Sequence, residues 1–233
     1  HASVQGRRRG RRTAALFGVL LFILACLSFG AILVEFLPQS SPPIDVYFVP
    51  ETEFSSYIQE YRPTHDGFYQ LYWDGGGGFL TARILVSTTG ISQERRSHII
   101  WKEVVHCMGL MNESSRYPDS IFYSGYSEAT ALADIDRTLV EMLYREDVWP
   151  GMSPGVMRAQ LGDEYASEEL DYFEEIAFHT ETVSAPALHK WKAGPTLRIH
   201  GSPTEADLKS LTKVVALLND LVSEVRLRVE VEE

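Results

Sequence analysis

The stretch WKEVVHCMGLMN, residues 101–112, differs by one residue from the zinc-binding helix of metalloproteases. In that helix, two histidines one turn apart hold the metal, and the glutamate after the first histidine activates a water molecule. Here Lys102 stands where the first histidine would be, while Glu103 and His106 stand at the other two positions. The stretch therefore raises the question of whether a metal site is present, has been lost or never existed.

Residues 93–111 are predicted to form one helix that carries this motif. Apolar residues recur along it at helical spacing, and Gly109 followed by Asn112 indicates its end. Glu103 and His106, three residues apart, fall on one face of that helix. The recurring apolar residues are Ile99, Ile100, Val104, Cys107, Met108 and Met111.

The ligand positions of an extended zinc motif fall on Lys102, His106 and Asn112. A protonated lysine repels a dication and an asparagine oxygen binds zinc poorly, so only His106 is a good ligand. We therefore expect no cofactor, with His106 as a weak metal candidate. The alternative is a zinc ion held by His106 together with ligands from elsewhere in the fold.

Glu103 and His106 are the candidate catalytic residues. A carboxylate and an imidazole on one helix face can transfer protons as a pair. The competing interpretation is a hydrogen bond on the helix surface, or a buried polar link to the loop DSIF at residues 119–122.

The formal net charge of the 233-residue chain is −11, and it is unevenly distributed. The first twelve residues hold five arginines and no acid, so the rest of the chain carries −16. A body this acidic repels nucleic acid, which excludes that class of partner. The two cysteines, Cys26 and Cys107, lie in different settings and are not expected to form a disulfide.

Residues 14–34 contain no charge and predict a membrane-spanning helix about 30 Å long. The arginines favour a cytoplasmic segment at residues 1–12, an anchor or signal at 13–37 and a linker at 38–43, with the main domain outside the cell. This prediction makes the membrane a partner through residues 14–34. The alternative is a cleaved signal or a lipoprotein processed at Cys26.

The rest of the chain predicts strands and helices of an α/β (α+β) domain. The glycine run at residues 75–78 predicts a hairpin tip, because no GK[ST] sequence follows to make a phosphate loop. Thr204 and Asp207 form a capping box that opens a helix at residues 205–224. The predicted strands are residues 44–49, 83–88, 197–200 and 225–233, and Trp73, Trp101, Trp149 and Trp191 are expected in the core or in a groove.

The segments RRSHIIWKEVVHCMGLMNESSRYPDSIF and LADIDRTLVEMLYREDVWPGM resemble a bacterial family of secreted or lipid-anchored proteins, domain of unknown function 2927. Two positions depart from the family pattern: Glu113 stands where aspartate is frequent, and His106 stands where glutamine is frequent. The resemblance implies no assigned activity. Its motif falls on Gly109, Asn112, Asp119, Ser120 and Asp136.

The order of the segments differs from the family order. Residues 44–162 resemble the C-terminal half of the family domain, and residues 163–233 resemble its N-terminal half. Circular permutation, assembly from displaced pieces, and the end of one copy followed by the start of another all stay open. In the family order the predicted elements resemble the core of zincin-like metalloproteases, whose last helix carries the zinc motif. This resemblance implies a zincin-like mixed sheet with packed helices, in which residues 225–233 and 44–50 share one sheet.

These observations predict an extracytoplasmic domain at the cell envelope with a degenerate metalloprotease helix, which binds a protein or peptide in a cleft. One alternative is an active zinc peptidase with non-standard ligands. The other is a purely structural envelope module, which would have no cleft above Glu103 and His106.

Overall fold

A five-stranded mixed sheet organises the part of the chain that the structure describes. The central strand β1 runs parallel to both of its neighbours, β3 and β4, while β5 continues the parallel arrangement and β2 lies antiparallel to β3 at the other edge. The order across the sheet is β2-β3-β1-β4-β5. The strands are β1 (Pro43–Val49), β2 (Gly67–Trp73), β3 (Phe79–Ser87), β4 (Thr196–Gly201) and β5 (Arg228–Val231).

The structure is a computed structural model that describes residues 41–58, 66–179 and 187–231. The predicted anchor at residues 14–34 and the candidate lipidation residue Cys26 lie outside these residues. Within the described ranges, the structure contains no helix with both the length and the apolar character needed to cross a bilayer.

Six α-helices lie within the described ranges. The motif helix α2 is shorter than predicted: it ends at His106 instead of residue 111. Two turn hydrogen bonds, from Met108 N to Val105 O and from Gly109 N to His106 O, replace the helical pattern there. The helices are α1 (Phe54–Tyr57), α2 (Gln93–His106), α3 (Asp134–Leu143), α4 (Pro154–Leu161), α5 (Ser167–Ala177) and α6 (Glu205–Leu221).

Alternation along the strands gives the sheet two different faces. Ile44, Val46 and Phe48 of β1 are buried in the main core, together with the apolar residues of α2 and α6. On the opposite face a small second cluster forms where Phe54 and Ile58 pack on the sheet. The main core therefore lies between the sheet and its helices.

The C-terminal segment is an integral part of this core. As expected, the chain's last strand shares a sheet with β1, and β4 lies between the two. The predicted capping box opens α6, where Thr204 accepts a hydrogen bond from Asp207 N. The buried Asp207 carboxylate also accepts hydrogen bonds from Gln93 at 2.7 Å and Arg96 at 3.1 Å, so it ties α6 to α2.

The glycine run forms the predicted hairpin tip between β2 and β3. Asp74 closes the turn, because its Oδ1 accepts hydrogen bonds from the backbone N–H groups of Gly76 and Gly78 at 2.8 and 2.9 Å. Lys192 pairs with the other carboxylate oxygen at 2.8 Å. These contacts hold the pKa of Asp74 down at about 2, with the Lys192 hydrogen bond as the largest cause.

Two truncations test how much of the fold depends on the C-terminal segment. A chain ending at residue 195 loses β4, α6 and β5, which removes one of the two parallel partners of the central strand and the helix that packs against α2, so we expect no cooperative thermal unfolding transition. The control chain ends at residue 227, loses only the edge strand β5, and should keep a transition. Circular dichroism on heating measures both. A native-like transition in the shorter chain would contradict the fold described here.

Candidate functional site

Helix α2 packs against the edge strand β2, and this contact contains the residues that the sequence singled out. A Cβ atom added to Gly67 would lie 3.0 Å from Glu103 Oε1 and would collide with Ile99, so only glycine allows the strand to come this close. Two residues along β2, the Tyr69 ring stacks on His106 with ring centroids 4.9 Å apart and an interplanar angle of 18°. Glu103 and His106 thus meet the strand on one side of α2.

His106 is enclosed on several sides. Its side chain is 1% exposed. The centroid of the Phe122 ring lies 5.5 Å from that of the imidazole, and the two ring planes are inclined at 57°, whereas the Tyr69 ring is nearly parallel to the imidazole. The His106 Nδ1 lies 2.5 Å from the carbonyl oxygen of Leu110. Because a carbonyl only accepts, Nδ1 carries the proton, and Nε2 is a buried acceptor without a hydrogen-bond partner in the described structure.

The imidazole of His106 is held neutral. Burial, followed by the nearby positive charge of Lys102, lowers its pKa from 6.5 to about 3. Burial also lowers the pKa of His98, whose Nδ1 lies 2.8 Å from the Ala129 carbonyl oxygen. Neither ring carries a charge at neutral pH.

Lys102 occupies the first ligand position and forms an ion pair with Glu113. The pair is largely buried, with the two side chains 14% and 20% exposed. A metal ion at this position would have to displace an ammonium group that already has a carboxylate partner.

Glu103 is 5% exposed, so the candidate catalytic pair does not form the floor of an open cleft. The side of α2 that carries both residues is covered by Gly67 and Tyr69 of β2. His106 contacts the loop at residues 119–122 through the Phe122 ring, an aromatic contact and not the polar link that the competing interpretation expected.

Gly109 and Asn112 shape the turn after the helix. Gly109 has a φ of +115°, and a Cβ atom there would collide with the carbonyl oxygen of His189. The side-chain amide of Asn112 donates to Glu175 O at 3.0 Å, and its backbone N–H donates to Ile176 O at 3.0 Å. Asn112 therefore fastens the turn to the end of α5.

The residues present do not fit the zinc ion that a metalloprotease helix implies. The first position holds a paired cation, the third holds an amide engaged with α5, and only His106 retains an available nitrogen lone pair. Across residues 41–58, 66–179 and 187–231, no group of three or more histidines, cysteines or acids is arranged to hold a metal.

Two of the remaining motif residues, Ser120 and Asp136, form a hydrogen-bond network in the interior, which we call the polar knot. Asp136, at the start of α3, accepts hydrogen bonds from Ser120 Oγ at 2.6 Å and from the backbone N–H groups of Ile121 and Ala133 at 2.9 Å. Ser120 also contacts the Tyr172 hydroxyl at 2.9 Å. Asp119, by contrast, is exposed. The DSIF loop is therefore fixed by Ser120 and Asp136, and Asp119 lies outside the knot.

Sequence reasoning did not identify two polar residues near α2, the buried Lys190 and the partly buried Tyr69. Lys190 is buried, and its Nζ donates to the carbonyl oxygens of Leu143 and Val148 at 3.1 and 2.6 Å and pairs with Glu224 at 2.8 Å. Tyr69 was predicted only as part of a strand. No local pattern marks either residue, because their partners lie far away along the chain.

A cavity of about 370 Å³ opens near Asn112. Its lining side chains are polar, and the charged ones already pair: Arg116 with Glu175 at 3.1 Å, and Arg158 with Glu174 at 2.6 Å. Arg158 also pairs with Asp171 at 2.8 Å, so each of the three lining carboxylates lies against one of the two guanidinium groups. The lining residues are Asn112, Arg116, Arg158, Asp171, Glu174, Glu175 and His179.

The motif contains two aspartates, the buried Asp136 and the exposed Asp119, so the same substitution can be compared at a buried and at an exposed position. Asp136→Ala leaves the buried Ile121 N–H, the partly buried Ala133 N–H and the Ser120 hydroxyl without their acceptor, so we expect a loss of about 3 kcal/mol in the free energy of unfolding. The control Asp119→Ala should change it by less than about 0.5 kcal/mol, as is usual for exposed sites. Urea unfolding measures both. Equal losses would contradict the assignment of the knot to Asp136.

The low pKa of His106 predicts a loss of stability in acid. Its folded pKa lies below its unfolded value, so its stabilising effect is complete above pH 6.5 and is lost as the pH falls from 6.5 towards 3. When the pH is lowered from 7 to 5, the protonation of His106 in the unfolded chain should lower the free energy of unfolding by about 2 kcal/mol. The His106→Phe variant should lose that part of the pH dependence. An unchanged pH dependence in the variant would show that His106 is not held neutral by the fold.

Comparison with known proteins gives a family but no activity. No curated protein matches the chain, and no solved structure matches it. The model of one family, described as Protein of unknown function (DUF2927), matches residues 36–163, more than half of the chain and the part that contains β1 to α4. The chain belongs to the DUF2927 family.

Proposed function

We propose that this chain is a non-catalytic, protein-binding domain at the cell envelope, in which the metalloprotease-like helix α2 serves as structural support. The observation that carries the first half of this proposal is the covered His106 face. Tyr69 and Phe122 pack on the imidazole, and the Lys102–Glu113 pair fills the neighbouring position. A hydrolase would need water and substrate to reach this place.

The covered face also moves the expected binding site away from the cleft that the sequence predicted above Glu103 and His106. Exposed apolar side chains on another part of the surface support a binding role. Trp73 is 44% exposed, and Tyr72 and Leu80 beside it in the β2–β3 hairpin are exposed as well. We call Tyr72, Trp73 and Leu80 the hairpin patch. Exposed aromatic residues are over-represented among residues that dominate protein interfaces.

The tryptophans illustrate this contrast. Trp101 and Trp191 are buried in the core as expected, while Trp73 and Trp149 are close to half exposed. The Trp73 ring lies on His189, with ring centroids 4.3 Å apart, so its position is fixed although much of its surface is open. A rigid exposed aromatic ring binds a partner at a small cost in side-chain entropy.

The location at the envelope is part of the proposal and rests on the sequence. Residues 14–34 match the thickness of one bilayer, and the arginines before them favour a cytoplasmic N-terminal segment. The domain described here would then lie outside the cytoplasm.

One observation favours the second candidate, a zinc-dependent peptidase with unusual ligands. His106 Nε2 is a buried acceptor without a hydrogen-bond partner in the described structure. A metal ion would satisfy it, but the position of Lys102 makes a dication at that point electrostatically unfavourable. We therefore place the peptidase second.

Zinc content tests the proposal. Protein purified without a metal-affinity tag or chelator should contain far less than one zinc per chain, because one histidine does not make a three-ligand site. Metal analysis by mass spectrometry measures this. In the control His106→Ala, any residual zinc should be unchanged. Stoichiometric zinc that disappears in His106→Ala would reject the proposal and favour the peptidase.

A further inference from the structure

The side chains of the hairpin patch lie next to one another along and across the β2–β3 hairpin. Tyr72, Trp73 and Leu80 are 46%, 44% and 55% exposed. The register shifts between Tyr72 and Trp73, where Leu80 is the extra residue of a bulge. Bulges redirect side chains, and here two consecutive residues of β2 are both exposed. The described residues therefore leave a concentration of apolar surface accessible at this end of the hairpin.

The backbone under the hairpin patch is fixed by contacts with the segment that precedes β4. Phe79 N donates to Lys190 O at 3.1 Å, and Lys190 N donates to Gly77 O at 3.2 Å. The Trp73 ring lies on His189 of the same segment. A ligand therefore meets an aromatic side chain that is already in position, which lowers the entropy cost of binding.

The charges next to the hairpin patch neutralise each other. Asp74, which follows Trp73 in the chain, pairs with Lys192 at 2.8 Å, and the two side chains are 38% and 54% exposed. Aromatic residues beside a polar, solvent-accessible rim are the usual arrangement of a protein interface. A charged group brought onto the patch would lose water without gaining a partner. The part of a ligand that contacts the patch is therefore apolar and uncharged.

The charge of the whole body narrows the choice of partner. Residues 13–233 carry a formal charge of −16. A field of this sign repels a second copy of the chain, and it also repels the anionic lipids of a membrane surface. It attracts a protein with basic residues and accelerates their association. Charge complementarity therefore favours a basic partner protein over the other two occupants.

We propose that the hairpin patch binds an apolar, uncharged segment of a partner protein, and that basic residues flank this segment in the partner. This inference rests on the proposed protein-binding function and names its site and ligand class. Trp73 supplies the main apolar contact, and the acidic body attracts the basic flanks.

Trp73→Ala tests the apolar contact. The probe is a displayed library of random twelve-residue peptides, panned against the full chain in phosphatidylcholine nanodiscs, followed by synthesis of the enriched sequences. We expect enriched peptides with an apolar stretch between lysines or arginines. In fluorescence anisotropy, Trp73→Ala should bind them about thirtyfold or more weakly, as for a residue that dominates an interface. The control Tyr126→Ala removes an aromatic side chain that is 74% exposed and lies outside the hairpin, and it should not change binding.

Gly75 allows a matched test of the charge. A Cβ atom at this position would meet no atom within 4 Å, and the φ of Gly75 lies outside the left-handed region, so a side chain can be added without strain. Gly75→Glu and Gly75→Lys then place opposite charges beside the hairpin patch. At low ionic strength, the enriched peptides should bind Gly75→Lys about fivefold more weakly than Gly75→Glu. The difference should shrink at high ionic strength, because salt screens exposed charges.

Circular dichroism establishes that each variant is folded, and the Gly75 pair keeps the inference testable if Trp73→Ala does not fold. Four results would overturn the inference: no enriched peptide, acidic flanks in the enriched peptides, equal binding by wild type and Trp73→Ala, or equal binding by the two Gly75 variants.

Two further measurements distinguish the other occupants. Energy transfer between donor-labelled and acceptor-labelled chains in separate nanodiscs, abolished by Trp73→Ala, would assign the hairpin patch to a second copy of this chain. Quenching of tryptophan fluorescence by brominated lipid in the wild type and not in Trp73→Phe would assign it to the membrane. Either result would overturn the inference. The proposed function is judged separately: absent peptide binding with little zinc rejects this inference alone, whereas stoichiometric zinc rejects the proposed function.

Discussion

The contact between Tyr69 and the buried His106 determines much of what this domain can do. It holds the edge strand β2 against helix α2, and it fills the space in which a zinc site would need water and substrate. Removal of the imidazole from water keeps it neutral, so the stack needs no counter-ion. One face of the strand is thereby committed to the contact with α2.

The polar residues of the family motif act mainly as internal fasteners. Asp136 and Ser120 fix the DSIF loop, and Asn112 fixes the turn after α2 to the end of α5. On folding, each of these side chains exchanges its hydrogen bonds to water for hydrogen bonds within the protein. Removal of one side chain therefore leaves its buried partner groups without a hydrogen bond. These polar motif residues therefore stabilise the fold. They lie around a helix whose residue spacing is similar to that of a zinc-binding helix.

Local sequence patterns predicted those helices and turns that are determined by residues close together in the chain. The capping box at Thr204 and Asp207, the glycine hairpin tip and the amphipathic pattern of α2 all depend on neighbours in the chain. The end of α2 was placed too late because apolar spacing continues through Met108 and Met111 in a turn. The cover on His106 could not be predicted, since it depends on the register of β2, 37 residues away. The resemblance in the family order did predict that the last strand joins the sheet of β1, because it connects segments that are distant in this chain. The predicted zincin-like core and the three explanations of the segment order stay predictions.

We propose that α2 has the spacing of a metalloprotease helix and serves as a structural helix. The protonation state of His106 and its response to zinc test this proposal. Nitrogen-detected NMR of the histidine side chains in the full chain, at pH 7 with and without added zinc, reports the protonation and metal ligation of each ring nitrogen. We expect a neutral His106 ring whose Nδ1–H donates a hydrogen bond to the Leu110 carbonyl, and no change on addition of one equivalent of zinc. A zinc-dependent shift of the His106 Nε2 resonance at one equivalent would contradict it.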